Sequence, residues 1–109
     1  MTRSDETRVR DIVEAADQIV AIAAAGETAY RQDPLRKLAI ERLLEIVGEA
    51  ARAMSSEGQA RYAEVPWADV VGLRTLLAHH YHRIDPDQVW TVATESIPAL
   101  LASLRSAEA

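Results

Sequence analysis

The sequence predicts an all-α fold, an up-and-down bundle of four to five helices. Three observations predict it. Apolar residues recur at intervals of three and four over long stretches, the period of a helix with one buried face. Two Asp-Pro pairs, Asp33-Pro34 and Asp85-Pro86, have the form of an N-cap followed by proline in the first turn. No stretch alternates with the period of a strand. Val70-Val71 comes nearest and lies inside a helical pattern. At 109 residues the chain is read as one domain spanning 1–109, long enough for one modest core.

The first helix is expected from Ser4 or Asp5 to Ala25, with Ile12, Ala16, Ile19 and Ala23 on its apolar stripe. Asp5, Glu6 and Asp11 suit the positive end of its dipole, and Gly26 is its stop. The second is expected from Asp33-Pro34 to about Ser55, burying Ile40, Leu43, Leu44, Val47, Ala50, Ala51 and Met54. Gly48 inside it costs about 1 kcal/mol against alanine, which makes it a marker of close approach by a neighbouring helix. Ser56 to Val65 reads as a connection with one helical turn near 57–62. A third helix starts at Pro66-Trp67 and carries Val70, Val71, Leu73, Leu76 and Leu77. A fourth starts at Asp85-Pro86 and runs past Leu104, with Pro98 expected to kink or divide it.

Composition limits the function. With no cysteine, disulfides and thiolate metal sites are excluded. Neither a secretory signal nor a membrane span is present, so a cytoplasmic protein without membrane association is expected. The formal charge of −5 argues against a surface that grips nucleic acid everywhere, so any such contact must be local. Gly72 to Arg83 provides that locality. It holds Arg74, Arg83 and three histidines, and no acid.

Within that segment Arg74, His79 and Tyr81 form an Arg-x4-His-x-Tyr pattern. Metal-independent RNA cleavage needs a base for the 2′-hydroxyl, an acid for the leaving oxygen and a fixed cation for phosphate charge. Histidine titrates near neutrality and serves either proton role. Arginine offers a planar fork that matches phosphate. The geometry sets a condition. On a straight helix Arg74 and Tyr81 share a stripe, while His79 lies about 140° round from Arg74. Either the helix loosens near His79, or two copies of the segment meet across a two-fold axis. The second solution is favoured and makes the protein a homodimer.

Other candidates have plainer readings. His80 and His82 read as solvent-facing. His79, His80 and His82 make no metal site, because neighbouring residues on a helix point to different faces. Glu45 and Glu49, four apart on a charged helix, read as a solvated face. Trp67 and Trp90 read as core or interface anchors, and Asp85 as an N-cap.

The chain resembles the HepT-like branch of the HEPN superfamily. The resemblance rests on Glu45 to Ala51, Val65-Pro66-Trp67, Gly72-Leu73-Arg74, Leu77-Ala78-His79, Tyr81, Ile84-Asp85, Val89-Trp90 and Ile97-Pro98. It implies a helical bundle that dimerises along the motif helices. It also implies a toxin of a type II toxin–antitoxin system, a ribonuclease that needs no metal or cofactor, with Arg74 and His79 catalytic. The implied partner is an MNT-type nucleotidyltransferase antitoxin that transfers AMP from ATP to Tyr81, placing bulk and negative charge beside the phosphate-binding groups. Two supporting positions depart from the family pattern: Thr75 stands where asparagine is common, and His80 where glycine is. A competing expectation is a catalytically inactive HEPN module that binds RNA or nucleotide, or acts only as the transferase's partner.

Overall fold

The computed structural model describes residues 3–77 and 84–108, and every regular element among the described residues is helical. The element α1 runs over Arg3–Ala23 and buries Val9, Ile12, Ala16 and Ile19. It ends two residues before the expected Ala25. The Gly26 N–H then donates to the Ala23 carbonyl at 2.9 Å, and Gly26 turns the chain at φ +99°, a region that residues with a side chain rarely adopt.

A short helix follows that the sequence pattern does not announce: α2, Glu27–Gln32. Six residues give too few turns for an apolar period to stand out. Its purpose is Tyr30, which is 1% exposed and stacks on Trp90 with ring centroids 5.2 Å apart. Arg31 adds ion pairs to Glu27 and Asp87.

The element α3, Pro34–Ala53, begins as expected, with the Leu35 N–H donating to Asp33 Oδ1 at 2.9 Å. It buries Ile40, Leu44, Val47, Gly48, Ala50 and Ala51. Ser55 caps α4, Ser56–Arg61, by accepting from the Gly58 N–H at 3.0 Å. Ser55 also donates twice to Asp5, from its N–H at 2.8 Å and its hydroxyl at 2.6 Å. Asp5 is therefore more than a dipole partner. It is buried, and it ties the start of α1 to the end of α3, so these two helices run antiparallel.

The expected third helix is divided at Gly72 into α5, Trp67–Val71, and α6, Leu73–Leu77. Gly72 keeps right-handed helical angles, and its N–H still donates to Ala68 at 3.0 Å. The Trp67 indole anchors α5 by donating to the Gln59 and Tyr62 carbonyls at 2.9 and 3.1 Å.

Asp85 caps α7, Pro86–Thr91, and accepts from the Asp87 N–H. The helix then passes through one wide π turn, Val92–Ser96, into α8, Ile97–Glu108. This is how Pro98 is accommodated. Its ring would collide with the carbonyl four residues back in a regular α-helix, and a widened turn just before it relieves that collision. The chain stays helical through this turn, so Pro98 does not divide the helix, and the disturbance it signals is the widened turn just before it. The element α8 packs on α1, with Arg105 paired to Asp17 at 2.7 Å and Glu108 to Tyr62. No helix among the described residues is long and apolar enough to cross a membrane.

Candidate functional site

Arg74 lies on α6, and Gly48 decides how near it comes to α3. A Cβ built on Gly48 would stand 2.9 Å from Arg74 Cγ and 3.4 Å from the Arg74 backbone nitrogen. Only a residue without a side chain admits α6 at that depth, which is the close approach that Gly48 predicts from the sequence. The aliphatic stem of Arg74 thus lies across α3. Its Nε forms an ion pair with Glu49 Oε1, from the residue next to Gly48.

Arg74 and Glu49 stay 40% and 48% exposed at their side chains. An exposed pair of this kind contributes about 0–1 kcal/mol to stability. Its consequence is therefore orientation of the guanidinium more than strength of the fold. Glu45, Glu49, Arg74, Thr75 and Leu77 line one shallow depression of about 230 Å³. Thr75 is exposed beside Arg74 on its rim.

Glu45 and Glu49 are both exposed, as a solvated face requires, and Glu49 is in addition half of the ion pair with Arg74. Glu45, on the same depression, pairs with Arg42 on its own helix. The signal for Glu49 was its adjacency to Gly48: a side chain next to the contact point of two helices meets whatever the second helix brings there. His79, His80, Tyr81 and His82 lie outside the described residues, and so does the choice between a loosened helix and a two-fold meeting. Among the described residues no cluster of three potential metal ligands occurs.

A second hollow, of about 660 Å³, runs between α5–α6 and the π turn with α8. Val70, Leu73, Leu76, Val92, Ile97 and Leu100 give it an apolar lining. It borders the helix that carries Arg74.

A helical domain that holds an arginine over an inter-helix contact, just ahead of a histidine-rich segment, defines a class of small helical proteins with a local cationic site. The family model described as "Ribonuclease HepT-like" matches residues 12–107, and the chain belongs to this HepT-like family of the HEPN superfamily. It is 31% identical over 91 residues to a Methanocaldococcus jannaschii protein named "Putative RNase MJ1380", covering 83% of this chain and 84% of that one. It is 30% identical over 103 residues to the "Probable ribonuclease HepT" of Thermococcus cleftensis, covering 92% of each. No solved structure matches the chain.

Proposed function

We propose that this chain, as a single HepT-like domain over 1–109, is the ribonuclease toxin of a type II toxin–antitoxin system. The observation that carries the reading is Arg74, partly exposed, paired with Glu49 and set along α3 at Gly48, in a chain of the HepT-like family. In this reading two protomers bring Arg74 and His79 from each side to one phosphate. One His79 takes the proton of the RNA 2′-hydroxyl. The 2′-oxygen attacks the adjacent phosphorus, and the bond from phosphorus to the 5′-oxygen breaks. The second His79 protonates that oxygen, leaving a 2′,3′-cyclic phosphate and a 5′-hydroxyl. Arg74 stabilises the charge on the non-bridging oxygens.

Regulation follows from the same site. An MNT-type nucleotidyltransferase antitoxin would attach AMP to Tyr81, and the added phosphate would repel RNA phosphate from Arg74. A cytoplasmic setting fits an RNA substrate.

The test is cleavage of cellular RNA by purified dimer. Arg74→Ala and His79→Ala are each expected to lower the rate by about 10²–10⁴ while the dimer stays folded. Unchanged cleavage by both variants ends the proposal. Intact-mass measurement after incubation with the transferase and ATP is expected to show added AMP mapping to Tyr81. An inactive module that only binds RNA or the transferase is the second reading, favoured by Glu45 and Glu49 on the same depression as Arg74. Wild-type protein that binds RNA and never cuts it selects that one.

A further inference from the structure

We infer that Glu49 is a positioning residue for Arg74, and that Gly48 and Glu49 together set the direction in which the guanidinium presents itself to phosphate. This inference rests on the proposed ribonuclease reading and extends it to a residue outside the Arg-x4-His-x-Tyr pattern.

The guanidinium has two edges that can each bind an oxyanion: the Nε edge and the edge formed by the two Nη nitrogens. Glu49 occupies Nε. That leaves the Nη edge for phosphate, which can accept two parallel hydrogen bonds from it. An exposed arginine without such a partner samples many rotamers, and ordering one on binding costs side-chain entropy. Here that cost is reduced before substrate arrives. The stem is set against α3 where Gly48 has no side chain, and the head is set by the carboxylate one residue further on.

The placement is also economical in charge. A carboxylate facing an incoming phosphate would repel it, but the contact Glu49 makes is with Nε and not with the edge assigned to phosphate. The pair is half exposed, so the fold does not depend on it. Removing Glu49 therefore separates orientation from stability.

The experiment compares wild type, Glu49→Ala, Glu49→Gln, Gly48→Ala, Arg74→Ala and the Glu49→Ala/Arg74→Ala double variant. RNA cleavage and thermal unfolding are measured for each. Glu49→Ala is expected to lower kcat on the order of 10–100-fold, because small displacements of a reacting or stabilising group cost that much. Tm stays within about 2 °C, the range of a weak exposed pair. Glu49→Gln keeps an acceptor for Nε and recovers most of the rate. In the Arg74→Ala background, loss of Glu49 adds nothing. Gly48→Ala shifts the Arg74 stem directly and reproduces the fall in kcat.

Cleavage that is unchanged in Glu49→Ala, while Arg74→Ala is dead, overturns the positioning role and leaves the ribonuclease reading standing. Faster cleavage in Glu49→Ala overturns it too, showing an ion pair that masks Arg74. If wild type cuts no RNA, the ribonuclease reading falls. The role of Glu49 is then decided by binding of a 2′-O-methyl RNA. Affinity that depends on Arg74 and drops about ten-fold in Glu49→Ala supports it, and equal affinity in the two proteins overturns it.

Discussion

At the scale of single residues, the acidic side of α3 is not uniform. Glu45 pairs with Arg42, and Glu49 with Arg74. Glu41, one turn before Glu45, is half-buried, and burial pushes its carboxyl above the usual range, with Lys37 pulling the other way. A carboxyl raised in the folded state favours the folded protein while it is protonated. That contribution is lost as pH rises through the folded value, so at neutral pH ionised Glu41 opposes folding. Glu41→Gln is therefore expected to raise Tm at pH 7, by a few degrees at most. The gain should shrink as pH falls below the usual carboxylate range, where Glu41 is neutral in both states. Thermal melts of the two proteins from pH 3 to 8 measure this. An advantage that is equal at both ends of that range contradicts the assignment. The burial that raises Glu41 also raises the Tyr30 hydroxyl, and Glu41 adds to that shift.

At the scale of elements, the connection from α2 to α7 matters most. Tyr30 fills a fully buried site, stacks on Trp90, and directs its hydroxyl toward the Pro86 carbonyl at 3.4 Å. Pro86 opens α7, three residues after the segment that carries His79 and Tyr81. Truncating a buried aromatic costs about 3–5 kcal/mol, so Tyr30→Ala is expected to lose that much in denaturant unfolding. Tyr30→Phe keeps the ring and loses only one long hydrogen bond, for a cost below about 1 kcal/mol. Equal losses in the two variants would place the energy in the hydroxyl and contradict the stacking account.

This element also shows where sequence reading stops. The long helices were legible because Ile12, Ala16 and Ile19, and likewise Ile40, Leu44 and Val47, repeat the helical period many times, and Asp33 and Asp85 mark starts chemically. The six residues of α2 carry no such repeat, and Tyr30 looks like any surface tyrosine until Trp90 is brought under it from sixty residues away. Pro98 signalled a disturbance correctly, but local sequence does not say whether a helix breaks or widens, because packing of Ala93 and Ile97 on the core decides that. At the site, Arg74 was legible from its motif and Gly48 from its cost inside a helix. Glu49 had only its adjacency to Gly48 as a signal, because its partner is twenty-five positions away and its own surroundings are those of a solvated face.

At the scale of the whole molecule, a chain with 17 acidic against 12 basic residues must make a phosphate site locally, where cations stand clear of acids. One guanidinium per chain is a weak attractor against that background, and two converging guanidiniums are a strong one, since their fields add in the same small volume. The proposed two-fold arrangement is therefore what reconciles an acidic protein with a polyanionic substrate. It predicts complementation. Dimers of Arg74→Ala and dimers of His79→Ala should each be inactive, yet a mixed dimer of the two retains one Arg74 and one His79 around the shared cleft. Unfolding the two variants together and refolding them yields about half mixed dimers by random pairing. With one His79 left to take the 2′-hydroxyl proton, one Arg74 on the phosphate and water protonating the leaving oxygen, cleavage should reappear at a level well below wild type and above either parent. Separation of the mixed species by two different affinity tags assigns the activity to it. If the mixed dimer is as inactive as its parents, the two groups must act within one chain, or the site must require all four. Single-chain dimers with one, two or three intact groups tell these apart, and an active site assembled by one protomer alone would remove the reason for the two-fold arrangement.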